Sequence, residues 1–142
     1  MTAPDTPSTS NLAIADSDAV TLTLPPLPSM VRVGRLTASS IASLTDMTID
    51  DIDDIKIAIS EMITMLIQYG DGSPVTLCFE HGDEHFYVEA STPARRLDLS
   101  GNDVALATAV LDAVADTSDV GFGEGRITIR MTKAVAGGAT ER

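Results

Sequence analysis

Tryptophan is absent and aromatic residues make up only 4% of this 142-residue chain, so its core must be packed from aliphatic side chains. A single cysteine, Cys78, excludes an intrachain disulfide and suits a reducing cytoplasm. No apolar run approaches the ~18 residues that a membrane-spanning helix needs, so no membrane contact is expected. The N-terminus has neither a basic start nor a continuous apolar segment, and no signal peptide is read there. Basic residues are scarce too: 9 Lys and Arg stand against 21 Asp and Glu, for a net charge of -12. Direct nucleic-acid binding is disfavoured, because phosphates would be repelled. The sign suits a basic protein partner, although solubility alone would explain it.

What is present fits one domain with one core: 44% of the residues are hydrophobic. Residues 1–18 are small, polar and Pro-containing and read as a disordered tail. Residues 135–142 read as a flexible C-terminal tail, which leaves 19–134 as the domain. "VTLTL" (20–24) alternates like a strand, and "PPLP" stops it. Ser29 could cap a helix running to about Leu44, with Met30, Val33, Leu36, Ile41 and Leu44 on its core side. Thr48 caps a second helix, with Asp50 and Asp51 complementing its positive end and Gly70 closing it. Its core stripe is Ile52, Ile55, Ile59, Met62, Ile63 and Leu66.

A hairpin follows, with Gly82-Asp83 as a two-residue turn. Phe79 then faces Phe86, Glu80 faces His85 and Cys78 faces Tyr87. Val75, Leu77, Phe79, Phe86, Val88 and Ala90 share the face toward the helices, and Cys78 lies on the wetter face. Residues 92–101 read as irregular, "NDVALATAVLDAVAD" as a third helix, and "RITIRMTK" (126–133) as a final strand. "GFGEG" (121–125) reads as a turn before that strand. The order implies an α+β, two-layer sandwich, a mostly antiparallel sheet with helices on one face.

On the second helix, Glu61 points away from the core stripe, with Ile57, Thr64, Met65 and Gln68 as its helical neighbours. A helix apolar on two sides is sandwiched or lines a pocket. A solvent-facing Glu beside adventitious apolar residues is an equal reading. His81, Asp83 and His85 around the hairpin could hold a metal, but three ligands on one turn usually stay solvated. Cys78 has no evident base and reads as an inert thiol. Arg95 and Arg96 could clamp a phosphate, or simply be solvated.

The segment "RLTASSIASLTDMTIDDIDDIKIAISE" (35–61) resembles the helical pair of the bacterial anti-sigma-factor serine kinases. These belong to the GHKL superfamily, with gyrase B, histidine kinases, heat-shock chaperones and MutL. "ATAVLDAVADTSDVGFGEGRITIRMTK" resembles their last helix and closing strand, so the resemblance spans about 20–133. It implies a histidine-kinase-like ATPase domain. In that family Glu61 would stand at the catalytic position that polarises the hydroxyl to be phosphorylated. The magnesium-ligating Asn is replaced by Met65, and Tyr69 stands where the family often has His or Lys. Around Thr92, "ASTPARR" lacks the Asp and glycines of the adenine box, and only Gly101 precedes the last helix. A thioether is a poor magnesium ligand, and no cofactor is expected.

The resemblance further implies that Arg35 contacts a partner, with Arg32, Asp50 and Asp51 as additional candidates. The expected function is an anti-sigma factor that sequesters an alternative sigma factor without phosphotransfer. An anti-anti-sigma (STAS-domain) protein would release it, and a homodimer is the default state. The alternative is an active kinase that uses ATP and magnesium to phosphorylate the anti-anti-sigma factor. A third reading is a regulatory module with a different partner.

Overall fold

The structure, a computed structural model, describes residues 19–95 and 101–135. Its elements are β1 (Val20–Leu24), α1 (Val31–Ala42), α2 (Ile49–Tyr69), β2 (Val75–His81), β3 (His85–Pro93), α3 (Asn102–Val114), β4 (Thr117–Gly123) and β5 (Arg126–Ala134). The strands form one antiparallel sheet in the order β1-β2-β3-β5-β4. The three helices pack on one side of it, as the α+β reading expects. The N-terminal tail and Arg96 lie outside the described residues. Of the expected C-terminal tail only Val135 is described; it is buried, and its N–H donates to the Glu84 carbonyl at 2.8 Å.

The core joins the inward face of the sheet to the helices. Val75, Leu77, Phe79, Phe86, Val88, Ala90, Ile127, Ile129 and Met131 all have no exposed surface. Against them lies α2, whose Ile55, Ala58, Ile59, Met62 and Ile63 are equally enclosed. Each large side chain so buried contributes roughly 2 kcal/mol over its exposed state, so α2 is the main anchor of the helical layer. Thr48 caps it as expected: its hydroxyl accepts from the Asp51 N–H at 3.1 Å.

Four expectations need correction. The hairpin faces are as read, but the register is not: Phe79 pairs with Val88, Glu80 with Tyr87 and Cys78 with Glu89. The turn is Asp83-Glu84, and the Gly82 N–H donates to the His85 carbonyl at 3.0 Å. Gly82 does not take the positive φ that would have made it a turn residue.

Second, α1 starts at Val31 with Met30 as its cap, and ends at Ala42. Its buried face is Gly34, Ala38, Ile41 and Ala42, so of the expected stripe only Ile41 is buried. Val33, Leu36 and Leu44 are exposed at 38%, 57% and 72%. Small residues win because α1 lies so close to α2. A Cβ on Gly34 would meet Ile63 Cδ1 at 2.2 Å.

Third, β3 continues through Thr92 to Pro93, into the stretch read as irregular. Fourth, there is an additional edge strand, β4, in which Gly121 and Gly123 pair with Thr128 and Arg126. The turn is Glu124-Gly125, both at positive φ.

Candidate functional site

The close α1–α2 packing brings the outer surfaces of two helices into one cleft. Arg35 from α1 lines it with Asp53, Lys56, Ile57, Ser60 and Glu61 from α2, around a volume of about 450 Å³. A neighbouring hollow of about 400 Å³ is lined by Arg32, Arg35, Leu36 and Lys56. Two sequence candidates from separate helices, Arg35 and Glu61, are thus neighbours, and Arg32 joins them. Asp53, Ile57 and Glu61 recur every fourth residue, so one helical face supplies them.

The cleft is basic at one end in an acidic chain. Arg32, Arg35 and Lys56 are three of its 9 basic residues. Among the described residues neither arginine has an ion-pair or hydrogen-bond partner. Lys56 lies 3.7 Å from Asp53, a solvent-exposed pair worth little. Leu36 and Ile57, 57% and 46% exposed, add apolar surface beside these charges. Asp50 and Asp51 lie outside the cleft. Asp50 is exposed on the first turn of α2. The Asp51 carboxylate lies 3.9 Å from Lys133 Nζ, in contact with β5 instead.

Glu61 also borders a second cleft, between α2 and α3. Its lining is Glu61, Thr64, Met65, Gln68, Tyr69, Asp103, Leu106 and Ala107, around about 240 Å³. Three expected positions, Glu61, Met65 and Tyr69, therefore meet here. Met65 is only 3% exposed and belongs to the core. Its sulfur offers a hard cation no oxygen, so Met65 itself is no magnesium ligand.

Asp103, in the first turn of α3, accepts a long hydrogen bond from Gln68 Nε2 at 3.5 Å. Burial first, then the charge and hydrogen bond of Asp103, raise the Tyr69 phenol above its ordinary pKa. The residues lining this cleft include two carboxylates and no cation, a poor match to a triphosphate. Sequence reasoning did not single out Asp103 or Lys56. Asp103 had only its place two residues after Gly101 to mark it.

Thr92 lines neither cleft. It is 1% exposed, and its hydroxyl donates to the carbonyls of Pro74 at 3.0 Å and Ser73 at 3.3 Å. Its methyl group faces the end of α2, where a Cβ on Gly70 would meet it at 2.8 Å.

Among the described residues no group of three His, Cys, Asp or Glu side chains could hold a metal ion. Cys78 is half-buried on the open sheet face, and burial raises its thiol pKa. No helix among the described residues is long and apolar enough to cross a membrane.

This arrangement is an antiparallel sheet with three helices on one face. The crystal structure of the RsbU and RsbW domains of Rv1364c from Mycobacterium tuberculosis matches it with a TM-score of 0.66 and 20% identity, over 81% of this chain and 32% of that one. The SiaB-SiaC complex from Pseudomonas aeruginosa matches with a TM-score of 0.57 and 12% identity, over 82% of this chain and 89% of that one.

The sequence relatives are more specific. Serine-protein kinase RsbW of Listeria monocytogenes serotype 4a (strain HCC23) is 34% identical over 86 residues, 58% of this chain and 55% of the relative. The protein of the same name from Halalkalibacterium halodurans is 29% identical over 90 residues, 62% of this chain and 56% of the relative. No family model matches the chain. The chain spans about half the length of the curated relatives it matches. The resemblance read from the helical pair is borne out: the homologues of this chain are RsbW-type serine-protein kinases.

Proposed function

We propose that the protein is a cytoplasmic anti-sigma factor that captures an alternative sigma factor without phosphotransfer. One observation carries this reading: Arg35 and Glu61 line a single open cleft, beside unpaired arginines and exposed Leu36 and Ile57. Charged rims steer a partner and set specificity, while apolar anchors supply affinity. The partner segment that fits is acidic with an aliphatic anchor. The exposed Asp46 and Asp50 stand ready for a basic surface further along the same partner. A STAS-domain anti-anti-sigma protein would compete for the cleft and release the sigma factor.

Nucleotide has no role in this reading. Met65 replaces an oxygen ligand, Thr92 is committed to two backbone carbonyls, and Asp103 adds negative charge beside Glu61. Co-purification with each sigma factor of the same genome, in nucleotide-free buffer, is the test. Recovery of one supports the reading; recovery of none contradicts it.

A second reading keeps the kinase. It is favoured by Glu61, which still lines the α2–α3 cleft, and by relatives named as serine-protein kinases. Thermal melting with magnesium-ATP separates the two. A ligand at a hundred times its Kd adds ~2.7 kcal/mol to stability. A flat response is expected, and a clear rise in Tm would transfer support to the kinase.

A further inference from the structure

We propose that the basic hollow between α1 and α2 binds a phosphate monoester carried on a protein segment, a phosphoserine or phosphothreonine. The chain then reads a phosphate rather than transferring one.

The hollow, of about 400 Å³, is lined by Arg32, Arg35, Leu36 and Lys56, three cations and no carboxylate. The chain as a whole has 21 acidic and only 9 basic residues. Arg32 and Arg35 stand three apart on α1, where like charges repel. Both lie in its first two turns, where the helix dipole already adds positive charge, and its first turn holds no acidic residue. Elsewhere the chain neutralises its cations. Arg130 meets Glu89 and Asp119 at 3.2 Å each, and Lys133 meets Asp54 at 3.1 Å. Arg32 and Arg35 are exposed and have no such partner among the described residues. Lys56 has only the exposed Asp53, at 3.7 Å. An entering anion relieves this repulsion.

The cation count selects the anion. A phosphate monoester carries a charge of about -1.5 to -2 at pH 7 and three strong acceptor oxygens. Two planar guanidinium forks and one ammonium can donate to all three. A carboxylate brings a single charge and leaves the set undercompensated.

The surroundings select the carrier. No aromatic side chain lines either hollow of the cleft, so a nucleotide base has no platform to stack on. The net charge of -12 repels a nucleic-acid backbone or an anionic lipid surface. A peptide brings one phosphate into the local basic field alone. The exposed Leu36 and Ile57 seat aliphatic residues beside it. Arg35 also lines the cleft proposed for sigma capture, so a bound phosphopeptide would displace the sigma factor. That consequence rests on the capture reading; the phosphate site does not.

The test is retention of a degenerate peptide library with a fixed central phosphoserine on the immobilised full chain, beside the same library with plain serine. Phosphopeptides should be enriched about tenfold, as charge-assisted hydrogen bonds imply, with aliphatic residues next to the phosphoserine. The most enriched sequence is then titrated by fluorescence anisotropy. Arg32→Ala and Arg35→Ala should each weaken it about tenfold at unchanged Tm, because both side chains are exposed. Arg126→Ala, on the open sheet face, should leave the affinity unchanged.

Equal retention of both libraries would overturn the proposal. So would full affinity in the double variant Arg32→Ala with Arg35→Ala, or an equal loss in Arg126→Ala. Inorganic phosphate that competes as well as the peptide would also overturn it, by marking an unselective anion site. Should an alanine variant lower Tm, Arg32→Gln and Arg35→Gln, which keep a polar stem, replace it under the same criteria. Sigma capture is measured without peptide. Its failure beside intact phosphopeptide binding would overturn the capture reading alone, and the reverse would overturn this site alone.

Discussion

Lys133 Nζ lies 3.1 Å from Asp54 Oδ2 and donates to the Val114 carbonyl at 2.7 Å. One ammonium group thus ties β5 to the first turns of α2 and to the last turn of α3, where a cation also offsets the negative helix end. Asp51 Oδ1 lies 3.9 Å from the same nitrogen. The acidic start of α2 is therefore divided: Asp51 and Asp54 hold the fold, while Asp46 and Asp50 face solvent.

Lys133→Met should cost about 2 kcal/mol, less than a fully buried pair because Asp54 is partly exposed. A urea midpoint shifted down at constant m-value is the expected readout. An unchanged midpoint would make the pair ornamental.

Gly34 sets the distance between α1 and α2. An added Cβ would sit 2.2 Å from Ile63 Cδ1 and 3.4 Å from Ile59 Cγ2, and both isoleucines are fully enclosed. Gly34→Val should overpack this contact and lower stability by about 2 kcal/mol. Because Arg35 is the next residue, partner affinity should fall as well. Thermal melting and partner titration of the one variant check both effects.

On the open sheet face the Tyr87 hydroxyl donates to Glu89 Oε1 at 3.0 Å, and Arg130 Nε donates to the same oxygen at 3.2 Å. Burial first, then the Glu89 charge, pushes the phenol from 10.0 up to about 12. A raised pKa means that folding disfavours the phenolate. The contribution is complete below pH 10 and is lost as pH climbs toward 12. Discounted for exposure, it is about 1 kcal/mol. Tyr87→Phe should flatten this alkaline loss in denaturant titrations run from pH 9 to 12. An unchanged slope would assign the loss to other groups.

Thr92 stands at the end of β3 with its hydroxyl shared by two backbone carbonyls. Thr92→Val keeps the shape and leaves both carbonyls without this donor. A loss of roughly 1–2 kcal/mol is expected in urea unfolding. A stable Val variant would release Thr92 for another task.

The sequence shows where α2 begins because Thr48 and Asp51 make a local cap that needs no tertiary partner. The hairpin faces are legible for a similar reason: alternation alone sorts Phe79, Phe86 and Val88 inward. Register is not legible. Moving the pairing by one residue on each strand preserves every inward side chain, so the hydrophobic pattern cannot choose. Gly82-Asp83 is a strong turn signal, yet the chain turns one residue later.

Residue size misleads at α1. Val33, Leu36 and Leu44 look like core, but Gly34 and Ala38 let the helices approach, and the larger side chains are left outside. In β4, glycine and serine mask the alternation of Val120 and Phe122, which pack on the core. Of the candidate site, Arg35 and Glu61 were legible through the family resemblance. Lys56 and Asp103 were not, because their significance arises only when separate helices meet.

The most direct test is a calorimetric titration of the purified cognate sigma factor, in nucleotide-free buffer, into wild type and Arg35→Glu. Wild type should bind without ATP. The variant should keep its Tm but lose about 2 kcal/mol of affinity, roughly thirty-fold in Kd. Equal affinities, or binding that appears only once magnesium-ATP is added, would contradict capture through the α1–α2 cleft.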